Sequence, residues 1–234
     1  MRVESVFLSL LAMPAAACSS SAPADSPVRD SVAAVSAEAD STPSGTAAQA
    51  ETLLVDVRSL APGIRVEMRY AAANNFTGAP LPGYEANRAL LRREAAAALA
   101  RVQDRLEAQG LGLKVFDAYR PVRATLAMMD WTERVGRQDL VRDGYIARRS
   151  RHNLGVAIDL TLIDPATGRE MEMGTPYDEF TEAAHTANAS GDVAERRRTL
   201  VAAMEAEGFT NYEREWWHFS HEVSNPLRFD VTVR

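Results

Sequence analysis

Of the four histidines in the chain, His152, His185, His218 and His221, two stand in patterns that could do chemistry. The segment Ser150-Arg151-His152-Asn153-Leu154-Gly155-Val156-Ala157-Ile158-Asp159 sets an imidazole in a turn before a strand and a carboxylate within that strand. Asp159 lies among Val156, Ile158, Leu160 and Leu162, where a carboxylate is costly to bury unless a cation meets it. Near the other end, Glu215-Trp216-Trp217-His218 places a second carboxylate and a second imidazole three residues apart, beside bulky rings that exclude water. A catalytic zinc takes three protein ligands and leaves a position for water, whose proton a carboxylate outside the ligand set can accept. His152, Asp159 and His218 would make such a set, with Glu215 as the base. From spacing alone the zinc set is a weak reading, because His and Asp on neighbouring strands are often only hydrogen-bonded partners. His185 and His221 have no motif partner and read as ordinary surface or core residues. Neither Ser150 nor Cys18 has the adjacent base that nucleophilic catalysis requires.

These groups need elements to hold them. Leu53 to Val57 reads as a first strand, followed by a loop-rich stretch from Tyr70 to Asn87 that holds Asn74-Asn75-Phe76-Thr77-Gly78 and two prolines. The pattern predicts a helix capped by Asn87, with Leu91, Ala95, Ala98, Val102 and Leu106 on its inner face and Gly110 after its end. Leu113 to Tyr119 alternates as a strand, and Pro121 opens a helix that runs through Met128 and Trp131 to Gly136. Val156 to Ile163 is a further strand, Asp192 to Glu207 a helix, and Trp216 to Val223 a last aromatic strand. The alternation of strands and helices predicts an α+β domain.

Composition narrows the function classes. The 234 residues are 46% hydrophobic and 25% charged, as in soluble globular proteins. Net charge is -6, and a single lysine accompanies 25 arginines, so no basic field marks the chain for nucleic acid. Residues 1–17 have the charged start, short apolar middle and small-residue end of a signal peptide, too short for a permanent span. Ala15-Ala16-Ala17-Cys18 resembles a bacterial lipobox, which implies lipidation of Cys18, with Ser19 favouring the outer membrane. Residues 18–50 are rich in Ser, Ala, Pro and Asp and read as a disordered tether, leaving 51–234 as the folded domain. The expected location is therefore the bacterial cell envelope, periplasmic, with the membrane engaged only through the lipid anchor.

Ser150-x-His152-x-x-Gly155-x-Ala157-x-Asp159 followed by Glu215-x-x-His218 resembles the zinc signature of the D-Ala-D-Ala metallopeptidases. Tyr70-Ala71 with Asn75 to Gly78, Asp117-Ala118-Tyr119-Arg120-Pro121, Met173-Gly174-Thr175 with Tyr177-Asp178, and Trp216-Trp217-His218-Phe219 are similar to its D-Ala-D-Ala dipeptidase branch, in family order. The resemblance implies a small antiparallel sheet with flanking helices, the fold shared with the hedgehog signalling domain. It also implies one zinc on His152, Asp159 and His218, Glu215 as general base and later acid, and Arg120 beside the scissile carbonyl. A guanidinium there would stabilise a tetrahedral oxyanion, with Asp117 holding Arg120 in place.

For a small zwitterionic D,D-dipeptide, the resemblance implies Asp178 for the ammonium, Ser150 for the carboxylate and Tyr70 in the pocket wall. A D,D-carboxypeptidase acting on peptidoglycan stem peptides would use the same zinc site with a more open cleft. A zinc-stabilised cell-wall-binding module would need the ligands but neither Glu215 nor Arg120.

Overall fold

The computed structural model describes residues 42–234. The signal segment, Cys18 and most of the tether lie outside the described residues. Order nevertheless begins before residue 51. Thr46 caps helix α1 (Ala47–Leu53) by accepting the Gln49 amide at 3.2 Å, while the Gln49 side chain accepts the Thr46 amide at 2.8 Å. This reciprocal cap, the burial of Ala50 and a bridge from Ser44 to Arg228 tie residues 42–50 to the domain, so the tether boundary at 50 is corrected.

Strands β1 (Leu54–Asp56), β2 (Arg65–Val66) and β3 (Leu90–Arg92) follow, with β1 and β3 paired antiparallel. Asn87 caps no helix. Its side chain accepts the Met68 amide (2.8 Å) and donates to the Val66 carbonyl (2.9 Å), clamping the loop beside β2. Because β3 takes up Leu91, helix α2 (Arg93–Glu107) starts at Arg93. Its Ala95, Ala98, Leu99, Val102 and Leu106 are wholly buried, each leucine contributing about 1.5–3 kcal/mol.

The chain continues through β4 (Gly112–Asp117), α3 (Val122–Val135), the short α4 (Asp139–Arg142), β5 (Ala157–Ile163), α5 (Gly191–Glu205), β6 (Phe209–Asn211) and β7 (His218–His221). Five strands form one sheet in the order β2-β4-β5-β7-β6. The sheet is antiparallel as expected across β4, β5, β7 and β6, and the two-residue edge strand β2 is added parallel to β4. A parallel pair needs a long crossover, and the segment carrying β3 and α2 supplies it. β7 starts at His218 and not at Trp216, because the His218 amide turns back to the Glu215 carbonyl (3.1 Å).

β5 is the central strand, and all seven of its residues are buried. Its period of two sends Ile158, Leu160 and Leu162 into the hydrophobic core and Asp159 to the opposite face. Register then sets the site: Asp117 of β4 faces Asp159, and Asp159 faces His218 of β7. Three ionisable side chains thus lie in a row across three strands.

Candidate active site

His152 reaches this row from the 3-10 turn Arg151–Leu154, just before β5. Ser150 caps the turn by accepting the His152 amide (3.3 Å), and Gly155 ends it in the left-handed region at φ 67°. A Cβ at Gly155 would lie 2.5 Å from Leu54 Cδ2, so a larger residue would have to displace that leucine as well as bear the strain of the left-handed backbone. Asn153 locks the turn to the next segment, donating to the Arg120 carbonyl and to Thr125 Oγ1 at 2.9 Å each. The His152 Nδ1 lies 2.6 Å from the Ala118 carbonyl, which can only accept. Nδ1 therefore carries a proton, which turns Nε2 toward the site as the atom a metal would take.

Two further atoms that could ligate a metal face this Nε2. His218 Nδ1 lies 3.2 Å from His152 Nε2 and 2.8 Å from Asp159 Oδ1, which is 3.4 Å from His152 Nε2. Burial would raise the Asp159 carboxyl, yet the facing His152 and His218 hold it well below the usual carboxylate range. Burial pulls His218 below the ordinary histidine value despite Asp159, which leaves its imidazole neutral at neutral pH. Two imidazoles and one carboxylate, their ligand atoms all within 4.8 Å of one another, form a donor set that fits a zinc ion.

Two further groups approach this cluster. Glu215, 7% exposed, comes from the His218 side, its Oε2 3.9 Å from Nδ1. Burial, reinforced by the charges of Asp159 and Asp178, holds its carboxyl well above the usual range, while Arg120 pulls it down. Arg120 comes from the Asp159 side, with Nη2 3.9 Å from Oδ2. Its guanidinium lies over the Tyr70 ring, 5.0 Å from the centroid. Asp117 accepts Arg120 Nε at 2.9 Å and the Tyr84 hydroxyl at 2.6 Å.

The loop between β5 and α5 closes one side. Buried Arg197 donates to the carbonyls of Met173, Ala183 and His185, and Trp216 Nε1 donates to Thr175 Oγ1 (2.8 Å). So anchored, the loop brings Asp178 to Tyr70, whose hydroxyl donates to both carboxylate oxygens at 3.1 Å. Asp178 has φ 62°, a left-handed conformation that Asp and Asn tolerate better than most residues. Burial and the charge of Asp159 hold its carboxyl well above the usual range.

The structure thus gathers His152, Asp159, His218, Glu215, Arg120, Asp117, Tyr70 and Asp178 into one site, and Ser150 stands at its edge as a cap. His185 and His221 lie outside it, His185 bonded to Tyr145 (3.0 Å) and His221 to the Glu222 carbonyl (2.7 Å). Tyr177 and Tyr84 went unassigned in the sequence reading. Both are bonded to site carboxylates, and an aromatic residue in sequence reads first as core.

The D-Ala-D-Ala dipeptidase model of peptidase family M15 matches residues 50–227. The chain belongs to this family. Its relatives include the D-alanyl-D-alanine dipeptidase of Enterococcus faecium, 37% identical over 67% of this chain and 85% of the relative. The Streptomyces coelicolor dipeptidase is 38% identical over 70% of this chain and 89% of its own length. That of Escherichia coli is 37% identical over 76% of this chain and 91% of its own length. This M15 peptidase therefore spans most of its relatives' length, and the match ends beyond β7, so it takes in every element that carries the site.

Proposed function

We propose that the protein is a zinc-dependent dipeptidase that hydrolyses D-Ala-D-Ala to two D-alanines, with one zinc held by His152, Asp159 and His218. The observation that carries this reading is the approach of Glu215 and Arg120 to the ligand cluster from two sides. A binding module would need the three ligands but neither a buried base nor a fixed guanidinium.

When bound, zinc would supply a Lewis acid that activates water and polarises the scissile carbonyl. Glu215 takes a proton from the attacking water as its oxygen bonds to the carbonyl carbon. The same carboxyl then gives that proton to the amide nitrogen as the carbon–nitrogen bond breaks, releasing two amino acids. The raised affinity of Glu215 for a proton suits this shuttle. Arg120 faces the oxygen on which negative charge develops, and Asp117 with Tyr84 keeps its guanidinium from swinging away. Asp178, fixed by Tyr70, pairs with the substrate ammonium, and Ser150 donates to its carboxylate.

The discriminating experiment is D-alanine release by the zinc-loaded protein from D-Ala-D-Ala and from an N-acylated peptide ending in D-Ala-D-Ala. Release from the free dipeptide alone is expected. Release from the acylated peptide would make the protein a D,D-carboxypeptidase, and none from either would leave the binding module.

The lipobox-like Ala15-Ala16-Ala17-Cys18 supports lipidation at Cys18 and a periplasmic position on the outer membrane. Among the described residues no helix is long and apolar enough to cross a membrane. Metabolic labelling with a fatty acid tests the anchor, since a Cys18→Ser chain should take up no label. At that location the enzyme would recycle D-Ala-D-Ala released from the wall.

A further inference from the structure

Asp159 uses its two oxygens differently. Oδ1 points at both imidazoles, 2.8 Å from His218 Nδ1 and 3.4 Å from His152 Nε2. Oδ2 is turned away and lies 2.9 Å from the hydroxyl of Tyr177. We propose that Tyr177 is a positioning residue that ties down Oδ2, so that Asp159 offers only Oδ1 to the metal. The inference rests on the zinc reading above.

The ring of Tyr177 has little freedom. It stacks on Phe116 (centroids 4.8 Å apart, planes at 30°) and meets the edge of Trp217 (5.5 Å, 76°). Phe116 precedes Asp117 on β4, and Trp217 precedes His218, so the clamp is built from the elements that carry the site. The left-handed turn at Asp178 lets two consecutive side chains, Tyr177 and Asp178, both reach the Tyr70 hydroxyl. In extended chain they would point to opposite sides.

The proton count decides where the Tyr177 bond goes. Tyr70 commits its one proton to Asp178, so its oxygen is left as an acceptor, 3.1 Å from Tyr177 Oη. Tyr177 thus has one proton and two acceptors, a neutral phenol at 3.1 Å and an ionised carboxylate at 2.9 Å. A hydrogen bond to an ionised acceptor is about twice as strong as a neutral one, so the proton goes to Asp159. The guanidinium of Arg120, 3.9 Å from Oδ2, is too distant to replace it.

Groups that orient a metal ligand typically contribute about 10–100-fold in metal affinity. Tyr177→Phe keeps the ring and removes the hydroxyl. Zinc affinity, measured by competition with a chromophoric chelator, should fall about tenfold or more. The visible absorption of the cobalt-substituted protein should weaken as Asp159 becomes free to bind through both oxygens. Tyr70→Phe, which leaves the Asp159 bond in place, should retain the wild-type zinc affinity.

Unchanged affinity and an unchanged cobalt spectrum in Tyr177→Phe would overturn the proposal. So would equal losses in both variants, which would assign the effect to the hydroxyl network as a whole. Should Tyr177→Phe fail to fold, the carboxylate stretching bands of the zinc-loaded wild-type protein carry the test: a splitting typical of one-oxygen ligation by Asp159 is expected, and one typical of two-oxygen ligation would overturn the proposal. A wild-type protein that binds no zinc would refute the zinc reading itself, a result distinct from either.

Discussion

Asp117 and Asp159 are register partners on adjacent strands, both almost wholly buried, yet different neighbours govern them. Asp117 is paired with Arg120, 2.8 Å from Nη2, and burial still raises its carboxyl. Asp159 faces the imidazoles and is held down. Two carboxylates in one row are thereby given separate work: one fixes a guanidinium, the other remains available to a metal.

Asp117→Asn follows from this division. The variant keeps the shape of the side chain but loses the charge that holds Arg120. Turnover should fall about 10²-fold, the scale of one lost oxyanion stabiliser, with KM for the dipeptide little changed and zinc content intact. Steady-state kinetics alongside metal analysis would check it, and an unchanged kcat would show that Arg120 is held without Asp117.

Glu215→Ala separates proton transfer from metal binding. The carboxylate stands 3.9 Å from His218 but lies outside the three-residue ligand cluster. Zinc content should be retained, while kcat falls by about 10²–10⁴-fold, the usual contribution of a general acid–base group. Full turnover would remove Glu215 from the mechanism, and loss of zinc would make it a ligand.

Stability should depend on the metal. His152, Asp159 and His218 bring three atoms that could ligate a metal within 4.8 Å of one another. At zinc 100-fold above its Kd, binding to the native state adds about 2.7 kcal/mol, or roughly 5–10 °C in the midpoint of a domain this size. Calorimetry with zinc and with excess chelator measures the difference. Coincident midpoints would mean that these residues bind no metal in the folded state.

Much of the site could be read in sequence because its parts are local. Ser150 to Asp159 is one turn and one strand, and Glu215 to His218 is one turn, so spacing carries their relative placement. The α2 stripe was legible for the same reason. What was not legible depends on contacts distant in sequence. The row of Asp117, Asp159 and His218 is a matter of register across β4, β5 and β7. β2 is two residues long and exists because β4 offers it a partner. Asn87 has the chemistry of a helix cap, but Met68 and Val66 compete for its side chain and win. The polar composition of 42–50 hid α1, whose order comes from one capping box and the surface that covers Ala50.

The proposed pairing of Asp178 with the substrate ammonium can be tested cleanly because of its backbone. At φ 62° most side chains are strained, by about 1–2 kcal/mol, whereas Asn is tolerated nearly as well as Asp. Asp178→Asn therefore removes the charge without disturbing the loop, while Asp178→Ala does both. A hydrogen bond to a charged group contributes about 1.5–3 kcal/mol, so loss of the ammonium contact should raise KM for D-Ala-D-Ala about 10–100-fold. The effect on kcat should be smaller, since the proposed mechanism assigns the reacting carbonyl to Arg120 and Glu215. An N-acylated substrate has no ammonium to lose, so any residual activity on it should be equal in Asp178→Asn and wild type. A KM for the free dipeptide that does not move would take Asp178 out of substrate recognition and leave it as a partner of Tyr70 alone.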